Sequence, residues 1–336
     1  MNATAPASRR AGRRTFLQAT AGLAAAGALP WRARAADAPR ELTLDYAYYS
    51  PASLVLRKFG WLEKDLEPSG RSVKWVQSLG SNRALEFLNS GAVDFGSTAG
   101  LAAVLSRANG NPVKAVYVYS RPEWTALAVG RDSPITSVRE LKGRKVAATK
   151  GTDPYLFLLR SLHAFGLARS DVEIVHLQHP DGRIALEQGR VDAWAGLDPH
   201  LAASQLEAGS RLIYRNVAFN TYGFLNVSDS FAARNPEDVR RVLGAYEQAR
   251  HWILHNPDAA ADLLAREAKL SGAVARLQLQ RTDFSNALIG KEHIDALAAA
   301  APILVDESLV KPGADVGRAI ADLVDPQFAR GIVQAA

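Results

Sequence analysis

Short apolar runs with a period of two, each followed by a helical pattern, recur from Leu42 to Ala195, and this alternation confines the chain to an α/β architecture. Leu42, Leu44 and Tyr46 alternate as a strand, and a turn at Ser50-Pro51 leads into a helix through Leu54, Val55, Arg57, Lys58 and Phe59. Val73, Trp75 and Gln77 form the next alternating run. Gly80-Ser81-Asn82 then opens a helix with Ala84, Leu85, Phe87 and Leu88 on its apolar face, stopped at Gly91. A short strand at 93–96 precedes a helix opened by Ser97-Thr98, and 114–119 is again a strand.

The rhythm then restarts. A helical turn at 138–141 and a strand at 145–149 are followed by a helix start at Gly151-Thr152-Asp153-Pro154. A strand at 172–177, a helix at 182–188, a strand at 191–195 and a helix at 201–206 complete the second set. Beyond Phe224 the texture is mostly helical, over 236–256, 257–269 and 291–300. The segments 121–131 and 217–225 read as crossings between two domains. The expected division is therefore a first α/β lobe from residues 37–126 and 221–336, with a second α/β lobe, 127–220, inserted into it. Such lobes are expected to have largely parallel sheets, with a ligand cleft between them.

Residues 1–36 differ from all that follows. They contain Arg9, Arg10, Arg13, Arg14, Arg32 and Arg34 and no acidic residue, with a weakly apolar stretch from Ala19 to Leu29 and small residues at Ala33-Arg34-Ala35. A basic start, a short apolar run and an A-x-A site read as a cleaved export signal. Arg13-Arg14-Thr15-Phe16-Leu17 resembles the twin-arginine signature. The apolar stretch is far short of the ~20 residues needed to cross a bilayer. The whole chain carries a net charge of +6. Without the signal its acids and bases balance, and no basic run remains to suggest nucleic acid or a membrane surface. The sequence has no cysteine, which excludes disulfides, thiolate metal sites and a lipid-anchoring cysteine. The expected product is free in the periplasm and monomeric, with no cofactor.

Five landmarks resemble one family. Gly60-Trp61-Leu62-Glu63-Lys64-Asp65-Leu66 comes first, then Leu88-Asn89-Ser90-Gly91-Ala92-Val93-Asp94-Phe95-Gly96. Leu141-Lys142-Gly143-Arg144-Lys145-Val146-Ala147 with Lys150-Gly151-Thr152 is third. Gly189-Arg190-Val191-Asp192-Ala193-Trp194 with Asp198-Pro199 is fourth, and Asn235-Pro236 with Asn256-Pro257 is fifth. In this order they resemble the aliphatic-sulfonate, taurine and nitrate group of solute-binding proteins, over essentially the whole chain from Asp37. The resemblance implies the two-lobed periplasmic-binding-protein fold, a small organic anion as ligand, most readily an alkyl sulfonate, and delivery to an ABC permease with its ATPase. Taurine, nitrate, a carboxylate ligand or a sensory role remain open.

The starts of the helices also point to an anion site. Three helices begin directly after strands, at Ser81-Asn82, Ser97-Thr98 and Thr152-Asp153, and ligands of open α/β domains sit beyond the carboxyl ends of the strands. Free N–H groups and the helix dipole favour an anion there by about 0.3–1 kcal/mol per exposed terminus. Hydrogen bonds to a charged group contribute about 1.5–3 kcal/mol each, so four or five suffice for a micromolar ligand. The same residue types are ordinary N-caps, and Asp153 and Asp198 would repel an anion unless turned away or paired. The candidate ligand residues are Tyr48, Tyr49, Ser50, Ser81, Asn82, Ser97, Thr98, Ser120, Thr152, Asp153, Leu197, Asp198 and Tyr222. The family usually has an aromatic before the last of its aspartates, where this chain has Gly196-Leu197, which implies a roomier wall. His251 and His255 lie four apart on a helix but lack the glutamate of zinc proteases, and His176 and His179 have no third partner in sequence. Enzymes on this fold, such as sulfinate desulfinases and pyrimidine-forming thiamin enzymes, rely on cysteine, so catalysis by either route is not expected.

Overall fold

The computed structural model describes residues 41–333; the export-signal expectation at 1–36 lies outside the described residues. Eleven strands are formed among them: β1 (Glu41–Tyr46), β2 (Ser72–Gln77), β3 (Phe95–Ala99), β4 (Val113–Pro122), β5 (Thr125–Val129), β6 (Lys145–Ala148), β7 (Glu173–His176), β8 (Ala193–Leu197), β9 (Arg211–Tyr214), β10 (Gly223–Ser228) and β11 (Thr282–Asp283). They build two sheets, ordered β11-β4-β10-β3-β1-β2 and β7-β6-β8-β5-β9. The chain passes from the first sheet to the second across Glu123-Trp124 and returns between Tyr214 and Gly223.

Each sheet has a parallel core interrupted by an antiparallel strand. β2, β1 and β3 run parallel, and β10 lies antiparallel to both β3 and β4. In the second sheet β7, β6 and β8 are parallel, and β5 is antiparallel to β8 and β9. The sheets are therefore mixed where largely parallel ones were expected. The segments read as bare crossings contain β5 and the start of β10. Every residue of β5, and every residue of β10 but its last, is buried. Strands covered on both faces are apolar without alternation, so a period of two does not reveal them.

Local chemistry sets the element ends. The helix Pro51–Phe59 has proline at its first position, where no N–H is required. It stops at Gly60, whose φ of 63° lies in the left-handed region open to glycine. The helix Ser81–Ser90 ends the same way at Gly91, φ 72°. β4 forms the spine of the first sheet, with Val116, Tyr117, Val118 and Tyr119 fully buried. Truncating any large core residue of this kind costs about 2–5 kcal/mol in lost transfer energy and cavity. The Tyr117 hydroxyl donates to Glu247 at 2.8 Å, and Glu247 is clasped by the buried Arg250 at 2.6 and 3.0 Å. Both charges are thus paired in a region where a lone charge is costly. Among the described residues no helix is long and apolar enough to cross a membrane.

Candidate functional site

Topology brings the carboxyl ends of several strands together. β3 and β4 are both antiparallel to β10, so β1, β2, β3 and β4 all point their carboxyl ends at one edge of the first sheet. Ser50, Ser78 and Ser120 lie at that edge, and Thr125 begins the second sheet just past the crossing. All four are almost fully buried; the hydroxyls of Ser50, Ser120 and Thr125 have no hydrogen-bond partner, and that of Ser78 lies against the Asp45 carboxyl. Buried hydroxyls are normally satisfied, so three free ones at strand ends and the crossing are candidates for bonding something else. Of these, Ser50 and Ser120 were expected from sequence and Ser78 and Thr125 were not.

Opposite them, β6, β7 and β8 present the loops of the second sheet. Tyr48, Tyr49, Leu197 and Asp198 meet around a narrow, nearly closed space, shared with Gln77, Ser78, Leu79, Pro199 and His200. Residues from both lobes therefore line one space. Asn82 lines an adjoining groove with Thr149, Lys150 and Gln178. At the start of the helix Ser81–Ser90, the N–H groups of Arg83 and Ala84 return to the Gly80 carbonyl. Ser81 and Asn82 are left as the helix's free first donors.

The remaining expected residues are engaged elsewhere. Ser81 accepts the Ala99 N–H at 2.9 Å. Ser97 gives its N–H and hydroxyl to Asp45, each at 2.9 Å, and its carbonyl takes the Tyr49 hydroxyl. Thr98 accepts from Asn226 at 2.8 Å inside the sheet. Thr152 spends its only hydroxyl proton on the Thr149 carbonyl at 2.6 Å. Tyr222 packs on His293, with ring centroids 4.2 Å apart, in the first lobe.

The two aspartates are held by the protein itself. Asp153 accepts from Trp124 Nε1 at 3.0 Å, Thr221 N at 2.9 Å and Thr221 Oγ1 at 2.8 Å, which ties the second lobe to both crossings. Asp198 accepts the Ala202 N–H at 2.9 Å and pairs with Arg281 at 3.2 Å. Arg281 follows a helix of the first lobe, so this pair spans the cleft and binds Gln205 as well. Burial pushes the Asp198 carboxyl up to about 6 even against the Arg281 charge. Burial likewise raises Asp153, and it raises Asp45, beneath the site, to about 6 although Ser97 opposes it. Neither Asp153 nor Asp198 is left bare towards a bound anion. Among the described residues no cluster of His, Asp and Glu is arranged to hold a metal ion.

Two α/β lobes, crossed twice by the chain and meeting at their strand ends over a shared cleft, define the periplasmic-binding-protein fold, the architecture of solute-binding proteins. The chain belongs to the NMT1/THI5-like family, whose pattern it matches over residues 67–260. An Escherichia coli (strain K12) protein described as aliphatic sulfonates-binding is 31% identical over 242 residues, which cover 71% of this chain and 75% of that one. The alkanesulfonate-binding protein SsuA from Xanthomonas axonopodis pv. citri, solved bound to MOPS, is 25% identical with a TM-score of 0.77, covering 85% of this chain and 98% of its own. The resemblance read from the five landmarks to sulfonate-binding proteins is thus borne out. The desulfurization enzyme DSZB is 16% identical with a TM-score of 0.62, over 87% of this chain and 98% of its own, and so shares the fold alone.

Proposed function

We propose that the protein is the periplasmic substrate-binding component of an ABC importer and captures an alkyl sulfonate in the cleft between its lobes. The observation that carries this reading is the set of partnerless buried hydroxyls on Ser50, Ser120 and Thr125. A sulfonate only accepts hydrogen bonds, and neutral hydroxyls donate to it without setting a buried positive charge in the cleft. The free N–H groups at Ser81 and Asn82 add the dipole of their helix. Tyr48, Tyr49 and Leu197 form the wall for the organic tail. The sulfonate-binding relatives support the ligand class. Further parts of the reading are twin-arginine export, no lipid anchor, a monomer, a permease and ATPase as partners, and binding without turnover.

Titration calorimetry with ethane-, butane- and hexanesulfonate tests the reading. Each buried CH₂ adds about 0.8 kcal/mol, roughly fourfold in affinity, until the wall is filled. Affinity is expected to rise along the series, with sulfate and nitrate binding poorly. A flat series, nitrate binding as tightly as the best sulfonate, or release of sulfite during incubation would overturn it.

A further inference from the structure

Asp45, near the carboxyl end of β1, is completely buried. One of its oxygens, Oδ1, takes the Ser97 N–H and the Ser97 hydroxyl, each at 2.9 Å. The other, Oδ2, has no hydrogen-bond partner, although the Ser78 hydroxyl lies against the carboxyl. The remaining neighbours are phenols: Tyr49 from the loop after β1, Tyr119 from β4 and Tyr246 from the helix Pro236–His255. Burial holds all three well above the ordinary tyrosine range, and the Asp45 charge adds to it, so each phenol is neutral. No lysine, arginine or histidine among the described residues pairs with this carboxyl. A buried carboxylate with no cation beside it is costly as a charge and takes up a proton readily.

Two residues carry the influence of Asp45 to the cleft. Ser78, which touches the carboxyl, and Tyr49, whose hydroxyl bonds the Ser97 carbonyl at 2.9 Å, both line the narrow space between the lobes. The free hydroxyl of Ser120 follows Tyr119 directly in β4. An anion held at this edge is therefore parted from Asp45 by one layer of neutral side chains. The other titratable groups at the space do not balance the two charges. Arg281 is committed to Asp198, and burial keeps His200 neutral by lowering its pKa to about 4. Two like charges across a water-poor layer drive one of them to take a proton. A sulfonic acid is too strong to hold it, and Asp198 has the Arg281 cation to support its own charge. Asp45 has none.

We propose that the anion enters the cleft together with a proton, which Asp45 takes from solvent. The proposal rests on the sulfonate reading of the same site and adds the condition under which that site fills. Burial already lifts the free carboxyl to about 6. Below that pH Asp45 is neutral before the ligand arrives, and the head meets only uncharged groups. Above it, each binding event must first pay for protonating Asp45, and affinity falls by up to about tenfold per pH unit until the pKa of the bound state is passed.

Calorimetry with butanesulfonate across the range from about pH 5 to about pH 8 tests the proposal. The buffers are amines, because a sulfonate buffer would compete for the site. Affinity is expected to be level at the acid end and to fall about tenfold from about pH 6 to about pH 7.5. At the upper pH, heats measured in two amines of different protonation enthalpy should show uptake of about one proton per ligand, a result that needs no variant. Asp45→Asn keeps an acceptor for Ser97 and cannot be charged. It should give a level profile, no proton uptake, and at the upper pH the tight affinity that the parent shows only in acid. Parent affinity that is independent of pH, or binding without proton uptake at the upper pH, overturns the proposal and leaves the sulfonate function standing. A pH dependence that survives unchanged in Asp45→Asn overturns it as well and moves the proton to another group, Asp198 first. Failure to bind any alkyl sulfonate at any pH removes the function and the proposal with it.

Discussion

The two lobes face the same cleft with opposite chemistry. The first sheet brings buried hydroxyls that bond nothing, on Ser50 and Ser120. The second sheet brings Thr152, Asp153 and Asp198, each already bonded within the protein. The first side leaves donors open for the proposed solute, whereas the second uses its strongest groups to hold the lobes to each other and to the crossings. The comparison teaches that a charged residue at a strand end need not be a ligand group. Its partners decide, and here the side chains left free are neutral ones.

Removing Asp153 is the severest way to break this arrangement. Asp153→Ala leaves the Trp124 indole N–H and both Thr221 donors buried without an acceptor. Breaking one side of a buried charged network costs about 3–5 kcal/mol. Denaturant unfolding should show that loss in full, and Asp153→Asn should recover part of it. A loss below about 1 kcal/mol would mean the crossings do not depend on this carboxylate.

Asp45 gives a pH-dependent test on the receiving side. Its folded pKa, about 6, lies above the ordinary 3.8, so the folded state holds a proton that the unfolded state has released between those values. Its contribution is fully present below about pH 4 and is lost as pH rises through 6. An asparagine side chain at this position would still accept from Ser97 and would bury no charge. Relative to the parent, Asp45→Asn should therefore gain on the order of 3 kcal/mol between pH 4 and pH 7. Parallel stability curves for the two proteins across that range would show that the carboxyl is not held protonated.

The smallest effect separates binding from folding. Ser120→Ala removes a hydroxyl that bonds nothing in the protein, so stability should stay within about 0.5 kcal/mol. Affinity for an alkyl sulfonate should fall by about 1.5–3 kcal/mol, at least tenfold, by calorimetry. The reverse pattern, lost stability with unchanged affinity, would move Ser120 to the structural side of the comparison.

How legible this was in the sequence follows from what each residue needs. Strands exposed on one face, such as β1 and β2, show their alternation, and the glycine stops at 60 and 91 show where helices end. β5 and β10 are covered on both faces and left no such pattern. Ser50 and Ser120 were legible as hydroxyls near strand ends. The fates of Asp153 and Asp198 were not, because their partners Thr221 and Arg281 lie 68 and 83 residues away. His179 shows in sequence only its spacing from His176. Its partner Thr149 lies 30 residues earlier.

The position of β10 also sets an order of events as the chain is made. All five strands of the second sheet fall within residues 125–214, one uninterrupted stretch, whereas β10 separates β3 from β4 in the first. While the chain lengthens, β3 and β4 must wait with bare edges for residues 223–228, a pairing across more than 100 residues from the β3 side. The lobe that starts later is therefore finished sooner. A chain arrested between 215 and 222 would hold a completed second sheet beside a first sheet with a gap at its centre, so the hazard of interrupted synthesis falls on the lobe that carries the open hydroxyls.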